Sequence, residues 1–270
     1  MRFILLGSGC VRPDLEHWGP AQVVQVAGQT LLFDCGRGAT MRLVEAGIPI
    51  QALRRVFFTH HHFDHNCDFA YLFLASWTLG RNHPMEVYGP RGTEHFCDTL
   101  FQTLYRDDIH TRRIQPTYPP HGKEYAARDV LEDTWELEGD GYRIQMIHVL
   151  HKPQILDNLA FRVEAEGKAI VIAGDNILCE SLMDLATGCD LLVHECTFPT
   201  ERIERHRWGG FHTSPRALGR WARERGVKKL VLKHYAIQEG VAVEPMVEEV
   251  RSEFGSEGLI AGHDLLALDI

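Results

Sequence analysis

Thr59-His60-His61-His62-Phe63-Asp64-His65 decides how this chain is read. The stretch holds a His-x-His-x-Asp-His pattern at the end of an apolar run, 55–59, that reads as a short strand. Four potential ligands within six residues cannot share one helix face. On a tight loop at a strand end they converge. His60 and His62, two residues apart, face one metal position, and Asp64 and His65 point to a neighbouring one. His61 and Phe63 fall on the intervening side. A run of histidines merely solvated at the surface needs neither the aspartate nor the strand before it.

A metal needs three or four ligands, so further donors come from elsewhere in the chain. Three later apolar runs end on suitable residues. His151 follows the run 142–150, Asp175 the run 168–173, and His234 the run 229–233. Each alone reads more naturally as a turn or exposed residue. Their repeated placement points to convergence on one sheet edge. His148 competes with His151, but three positions away on an extended strand it faces the opposite side. His151 is preferred because it lies at the strand end.

Around this motif the chain has the composition of a soluble globular protein, with 270 residues, 44% hydrophobic and 24% charged. Sixteen histidines make it a metalloenzyme suspect, since imidazole is the commonest side-chain metal ligand. The formal net charge of −9 argues against nonspecific nucleic-acid binding, which rests on Lys and Arg neutralising phosphates. No apolar stretch is long enough for a membrane span, and no signal peptide is expected at the start. Seven scattered cysteines without a Cys-x-x-Cys argue against a disulfide framework and suit a reducing cytoplasm.

Strands are expected at 2–6, 21–27, 30–34, 55–59, 85–88, 142–150, 159–165, 168–173, 190–194, 229–233 and 265–268. Helices are expected at 37–46, 67–79, 90–105, 177–186, 215–225 and 243–254. Residues 106–128 lack a clear period and read as a long irregular segment, a candidate lid. Hairpin-joined strands are mixed with strand–helix units in both halves. That mixture predicts an α/β (mixed α+β) chain with two sheets between helices, not an alternating parallel array.

With these residues in place the chain resembles the metallo-β-lactamase-fold hydrolases, and most closely their ribonuclease Z and arylsulfatase-like branch. Gly7-Ser8-Gly9, Leu32-Phe33-Asp34-Cys35-Gly36, the 60–65 motif, Tyr88-Gly89-Pro90, Gly174-Asp175, His194-Glu195 and His212-Thr213-Ser214 fall in the family's order. The resemblance implies a four-layer αβ/βα sandwich, a single domain over residues 1–270, with a dinuclear site at one sheet edge. His60, His62 and His151 would bind one divalent cation. Asp64, His65 and His234 would bind the other, with Asp175 bridging. Zinc is the family's usual metal, with manganese or iron in some members. The donor types do not choose among them.

The chemistry implied is hydrolysis by a metal-bridging hydroxide, because two nearby cations lower the pKa of a shared water. Asp64 and Asp175 would orient it. The resemblance also casts His212 as the proton donor to the leaving group and Glu195 as its charged partner, which would raise the histidine pKa. The other readings are a helix cap for His212 and a surface carboxylate for Glu195. Asp34 reads either as a residue orienting the ligand loop or as a turn former before Gly36. The chain departs from the family at Asn66-Cys67-Asp68, at Phe63 inside the motif, and at Asn176 after Asp175. These departures bear on the substrate class.

Ribonuclease Z enzymes carry a Gly/Pro-rich arm that grips tRNA, usually between the third histidine region and the bridging aspartate. Here only residues 152–174 lie there, enough for two strands and a turn. Together with the net charge, this favours a small-molecule substrate over nucleic acid. The candidate bonds are an ester, lactone, sulfate ester, phosphodiester or heterocumulene carbon. Trp18, Trp77, Trp208, Phe211 and Tyr118 are candidates to line an apolar pocket. His17, His110, His121, His206 and His263 are candidates for its rim. The alternatives are a ribonuclease Z-like phosphodiesterase acting on RNA, an iron-dependent redox protein on the same fold, and an inactive binding module. The last predicts a lost ligand, and none is lost. The family resemblance allows a homodimer.

Overall fold

Apolar residues fill both faces of several strands here. Ala169, Val171 and Ala173 pack to one side of their strand while Ile170 and Ile172 pack to the other. Strands buried on both faces belong inside a layered sandwich. A computed structural model describes residues 1–152, 155–237 and 242–270 and has this architecture.

In chain order the strands of the first half are β1 (Arg2–Gly7), β2 (Ala21–Val26), β3 (Gln29–Phe33), β4 (Arg55–Phe57), β5 (Met85–Gly89) and β6 (Tyr125–Asp129). The strands of the second half are β7 (Thr134–Gly139), β8 (Tyr142–Val149), β9 (Asn158–Ala165), β10 (Lys168–Ala173), β11 (Leu191–Glu195), β12 (Leu230–Lys233), β13 (Leu259–Ala261) and β14 (Leu266–Asp269). The helices are α1 (Ala39–Glu45), α2 (Phe69–Thr78), α3 (Thr93–Asp98), α4 (Arg106–Arg113), α5 (Glu180–Ala186), α6 (Thr200–His206), α7 (Pro215–Glu224) and α8 (Val243–Phe254). The α3 helix runs on into a π-helical stretch, Thr99–Leu104.

Two seven-stranded sheets result, ordered β14-β1-β2-β3-β4-β5-β6 and β13-β12-β11-β10-β9-β8-β7. Their inner faces share one core, where Phe3, Phe33 and Phe57 of the first sheet meet Phe161, Ile170 and Val231 of the second. The outer face of the first sheet packs on α1 and α2, and that of the second on α5, α7 and α8. Helices therefore cover both outer faces, giving the expected four layers. The expected α/β sandwich, two sheets between layers of helices, holds. No helix among the described residues is long and apolar enough to cross a membrane.

Parallel pairing positions the site. Strands β3, β4 and β5 run parallel, as do β10, β11 and β12. Asp34 follows β3, the histidine motif β4, Asp175 β10, and His234 β12, so the motifs exit on one edge of the sandwich. Main-chain bonds stitch the two sheets there. Tyr235 N–H donates to Ser8 O at 3.0 Å, and Leu159 N–H to Thr59 O at 2.8 Å.

Several expectations need correction. Residues 106–128 are not irregular throughout: α4 forms without any buried residue, and β6 begins at Tyr125. Acids in the first turn of α4 and bases in its last complement the helix dipole, and Arg112 pairs with Asp108 one turn away. Strands β7 and β13 and helix α6 were not expected. The edge strand β7 alternates exposed and half-buried residues and carries acids on its open side. The helix expected at 177–186 begins only at Glu180.

Candidate metal centre

The motif loop lies against Asp34, which is fully buried and holds a left-handed backbone with φ 57°. Asp34 Oδ1 accepts the Thr59 N–H at 2.8 Å, and its Oδ2 accepts His65 Nδ1–H at 2.9 Å. The Thr59 hydroxyl also donates to Asp34, so its oxygen is free to accept His60 Nδ1–H at 3.0 Å. One carboxylate thus sets the orientation of two histidines. Close approach also needs glycine: a Cβ on Gly36 would stand 2.2 Å from the Asp64 carbonyl oxygen, and one on Gly174 2.6 Å from Thr59 Oγ1.

The second half supplies matching supports. His151 Nδ1–H donates to the Phe211 carbonyl at 2.7 Å. The Thr197 hydroxyl donates to Glu195 Oε2, and its oxygen accepts His234 Nδ1–H at 3.0 Å. Four histidines are therefore held by Nδ1, which leaves the Nε2 lone pair of each for another partner.

Those nitrogens converge. His60 Nε2 lies 2.9 Å from His62 Nδ1, and His65 Nε2 lies 3.3 Å from His234 Nε2. Asp64 Oδ2 is 3.5 Å from His234 Nε2, and Asp175 Oδ1 is 3.1 Å from the same atom. Donor atoms of His60, His62, His151 and Asp175 lie within 4.8 Å of one another, as do those of Asp64, His65 and His234. The structure thus brings together all seven residues expected as ligands, in two adjacent groups.

The donor chemistry fits divalent cations. His151 Nε2 is buried without a hydrogen-bond partner, and Asp175 Oδ1 meets only the Nε2 edges of His234 and His65. Buried polar atoms of this kind are costly unless something else satisfies them. Burial, reinforced by neighbouring histidines, holds His60 well below the ordinary imidazole pKa and His62 down at about 4, so both rings stay neutral. Asp175 is buried, yet His234, His65 and His60 hold it well below the usual carboxylate range. Burial also opposes the charged form of His65, but Asp34 and Asp175 push it up to about 10. A cation would compete with that proton for Nε2. Once a cation displaces the His65 proton, neutral imidazoles around ionised carboxylates are a set that could hold zinc, manganese or iron.

Glu195 and His212 meet beside this cluster. His212 Nδ1–H donates to Glu195 Oε2 at 2.7 Å, and Glu195 Oε1 accepts the Asn176 N–H at 2.8 Å. Burial alone would lower the His212 pKa, but the charge and hydrogen bond of Glu195 push it up to about 9. The ring is therefore protonated near neutral pH. Glu195 lies near Asp175 and His234, but Thr197, His212 and Asn176 already occupy its oxygens. It is placed to support the cluster. Neither residue behaves as the alternative readings had it: Ser214 caps α7, and Glu195 is fully buried.

A cleft of about 300 Å³ opens over the cluster, lined in part by Arg12, Phe63, Lys152, Phe198 and His212. None of the five aromatics expected to line it does so through its ring. Trp77 is buried, donates Nε1–H to the Pro119 carbonyl and packs against Tyr118. Trp18 lies against Arg37 and Arg42, and Trp208 stacks on His206. Phe211 contributes its carbonyl to His151 instead. The five histidines offered as rim residues do not line the cleft either. Thr59, Thr197 and Asn176 were missed as supports. For Thr59 and Asn176 the available signal was adjacency to the motifs.

A family model described as "Anti-Pycsar protein Apyc1" matches residues 1–245. A ribonuclease Z of Mycobacterium marinum is 32% identical over 245 residues, covering 86% of this chain and 85% of that protein. Among solved structures, the metallo-β-lactamase fold protein YhfI from Bacillus subtilis matches with TM-score 0.76 at 20% identity, covering 99% of this chain and 98% of that one. The short form of human tRNase Z also matches with TM-score 0.76, at 21% identity, covering 100% and 99%. The last two likenesses speak to fold alone. Family match, curated relative and donor cluster agree: the chain belongs to the Apyc1 family within the ribonuclease Z branch of the metallo-β-lactamase superfamily, and is a metal-dependent hydrolase.

Proposed function

We propose that this hydrolase is a dinuclear-metal phosphodiesterase. The observation that carries the reading is the hydrogen bond of His212 to the buried Glu195, 2.7 Å long, beside a double cluster of metal donors. Phosphodiester cleavage expels an alkoxide-like oxygen, which needs both charge neutralisation and a proton. In this reading His60, His62 and His151 would hold one cation and Asp64, His65 and His234 the second, with Asp175 available to both. When bound, the cations supply water activation and Lewis acidity. Asp34, Thr59, Thr197 and the Phe211 carbonyl keep the imidazoles oriented. Asp64 and Asp175 orient the attacking water. His212 delivers its proton to the leaving oxygen, and Glu195 keeps the ring charged and aimed.

The relatives named ribonuclease Z support a phosphodiester over the ester, lactone, sulfate and heterocumulene alternatives. They also give RNA more weight than the net charge alone does. A short phosphodiester is kept as a second reading because residues 158–173 form only the β9–β10 hairpin, with no projecting arm. Zinc is the proposed metal, and the cytoplasm the proposed compartment.

The test is a screen of the metal-loaded protein against bis(4-nitrophenyl) phosphate, an aryl sulfate, a lactone, a carboxylic ester, a dinucleotide and a tRNA-length RNA. The phosphodiester is expected to turn over fastest, and His62→Ala, with the fold intact, to abolish turnover. Preference for any other bond, or an active His62→Ala protein, overturns the reading. Cleavage of the RNA but not the dinucleotide selects RNA, and the reverse selects the small substrate.

A further inference from the structure

Two side-chain cations, Lys152 and Arg12, line the cleft over the donor cluster. The chain carries a net charge of −9, so acidic partners are plentiful: Lys168 and Lys228 both pair with Asp190, and Lys123 pairs with Glu124. Neither Lys152 nor Arg12 has an ion pair among the described residues. The carboxylates that share the cleft, Asp64 and Asp175, face His65 and His234.

Lys152 is also held at a cost. It is half-buried, and its backbone is left-handed with φ 46°, a conformation that side chains with a Cβ avoid. Such strain persists where its surroundings impose it, often at functional sites. Its Nζ lies 5.7 Å from the centroid of the Phe211 ring, whose electron-rich face attracts an ammonium. Phe211 in turn holds His151 through its carbonyl. The ammonium is thus fixed to the same scaffold as the donor cluster. Its positive charge reaches both His62 and His212, making each ring less basic.

We infer that the Lys152 ammonium, seconded by Arg12, binds the anionic non-bridging oxygen of the substrate's phosphoryl group and selects anionic substrates over neutral esters and lactones. This rests on the phosphodiesterase reading above and names the side chain that would make it selective. Lys152 would act as a binding residue, and the proton for the leaving oxygen stays assigned to His212.

The test compares wild type with Lys152→Gln, Lys152→Arg and Lys152→Gly, all metal-loaded and with metal content checked. Calorimetry measures the Kd of inorganic phosphate, and kinetics follow bis(4-nitrophenyl) phosphate and neutral 4-nitrophenyl acetate. Lys152→Gln is expected to weaken phosphate binding by roughly tenfold or more and to raise KM for the phosphodiester. The neutral ester rate should fall far less than the phosphodiester rate, and Lys152→Arg should restore much of the loss. Lys152→Gly relieves the backbone, so it should melt no lower than wild type yet lose phosphate affinity as the glutamine variant does. Unchanged phosphate affinity in Lys152→Gln and Lys152→Gly overturns the inference, as does an equal loss on anionic and neutral substrates. If phosphate affinity is unchanged while wild type still cleaves the phosphodiester, the phosphodiesterase reading stands without it. If phosphate binding depends on Lys152 but wild type cleaves no phosphodiester, the anion site stands and that reading falls.

Discussion

Asp34 Oδ2 accepts a hydrogen bond from His65 Nδ1–H at 2.9 Å, and both side chains are fully buried. The pair fixes which imidazole nitrogen faces the donor cluster, and the carboxylate also anchors Thr59 at the head of the motif. Asp34→Asn keeps a side chain that tolerates the left-handed backbone but removes the charge. It is expected to weaken binding of the second cation by about 10–100-fold, measured by competition with a chelating dye. Asp34→Ala should lose at least as much, because the Thr59 contacts go as well. Metal affinity equal to wild type in both variants would show that His65 needs no orienting partner.

The His212–Glu195 pair leads to a leaving-group prediction. If His212 supplies a proton to the departing oxygen, its loss matters most when that oxygen is a poor leaving group. His212→Asn should lower kcat by about 10²–10⁴-fold on an alkyl phosphodiester. On bis(4-nitrophenyl) phosphate, whose phenolate leaves without help, the loss should be far smaller. Glu195→Gln should follow the same pattern more weakly, since it removes the charge that keeps His212 protonated. An equal defect on both substrates would assign His212 a structural role.

The contrast between what the sequence makes legible and what it hides has physical causes. His60, His62, Asp64 and His65 are readable because one loop carries them all. His151, Asp175 and His234 are readable because each ends an apolar run, and strands that run in the same direction deliver such ends to one edge. His212 and Glu195 came only from family resemblance, since nothing local links two residues that meet across the fold. Lys152 was hidden for a related reason: its backbone conformation and its contact with Phe211 are tertiary. The aromatic expectation failed because large rings serve the core more readily than a cleft, as Trp77 does. Helix α4 escaped notice because charge patterning sustains it, with no apolar stripe. Strand β7 did so because an open edge needs little apolar surface.

The acid limb of stability should be governed in part by Asp190, which belongs to none of the donor groups. This aspartate stands just before β11 and ties three segments of the second sheet. It accepts the Ala169 N–H at 2.9 Å, Lys168 Nζ at 3.2 Å and Lys228 Nζ at 3.0 Å. Burial works against its charge, but these donors outweigh it and lower its pKa from 3.8 to about 2. A depressed folded-state pKa means that the group stabilises the fold above its ordinary value. That stabilisation is complete at neutral pH, begins to fade near the ordinary carboxylate pKa, and is gone once the pH falls below the folded value. Asp190→Asn should therefore cost about 1–2 kcal/mol at neutral pH, since two of the partners are half-exposed lysines. The cost should shrink steadily as the pH drops from 4 toward 2. Urea unfolding of both proteins across that range measures it. A gap that stays constant with pH would mean that the Asp190 charge contributes nothing and that only the shape of its hydrogen bonds matters.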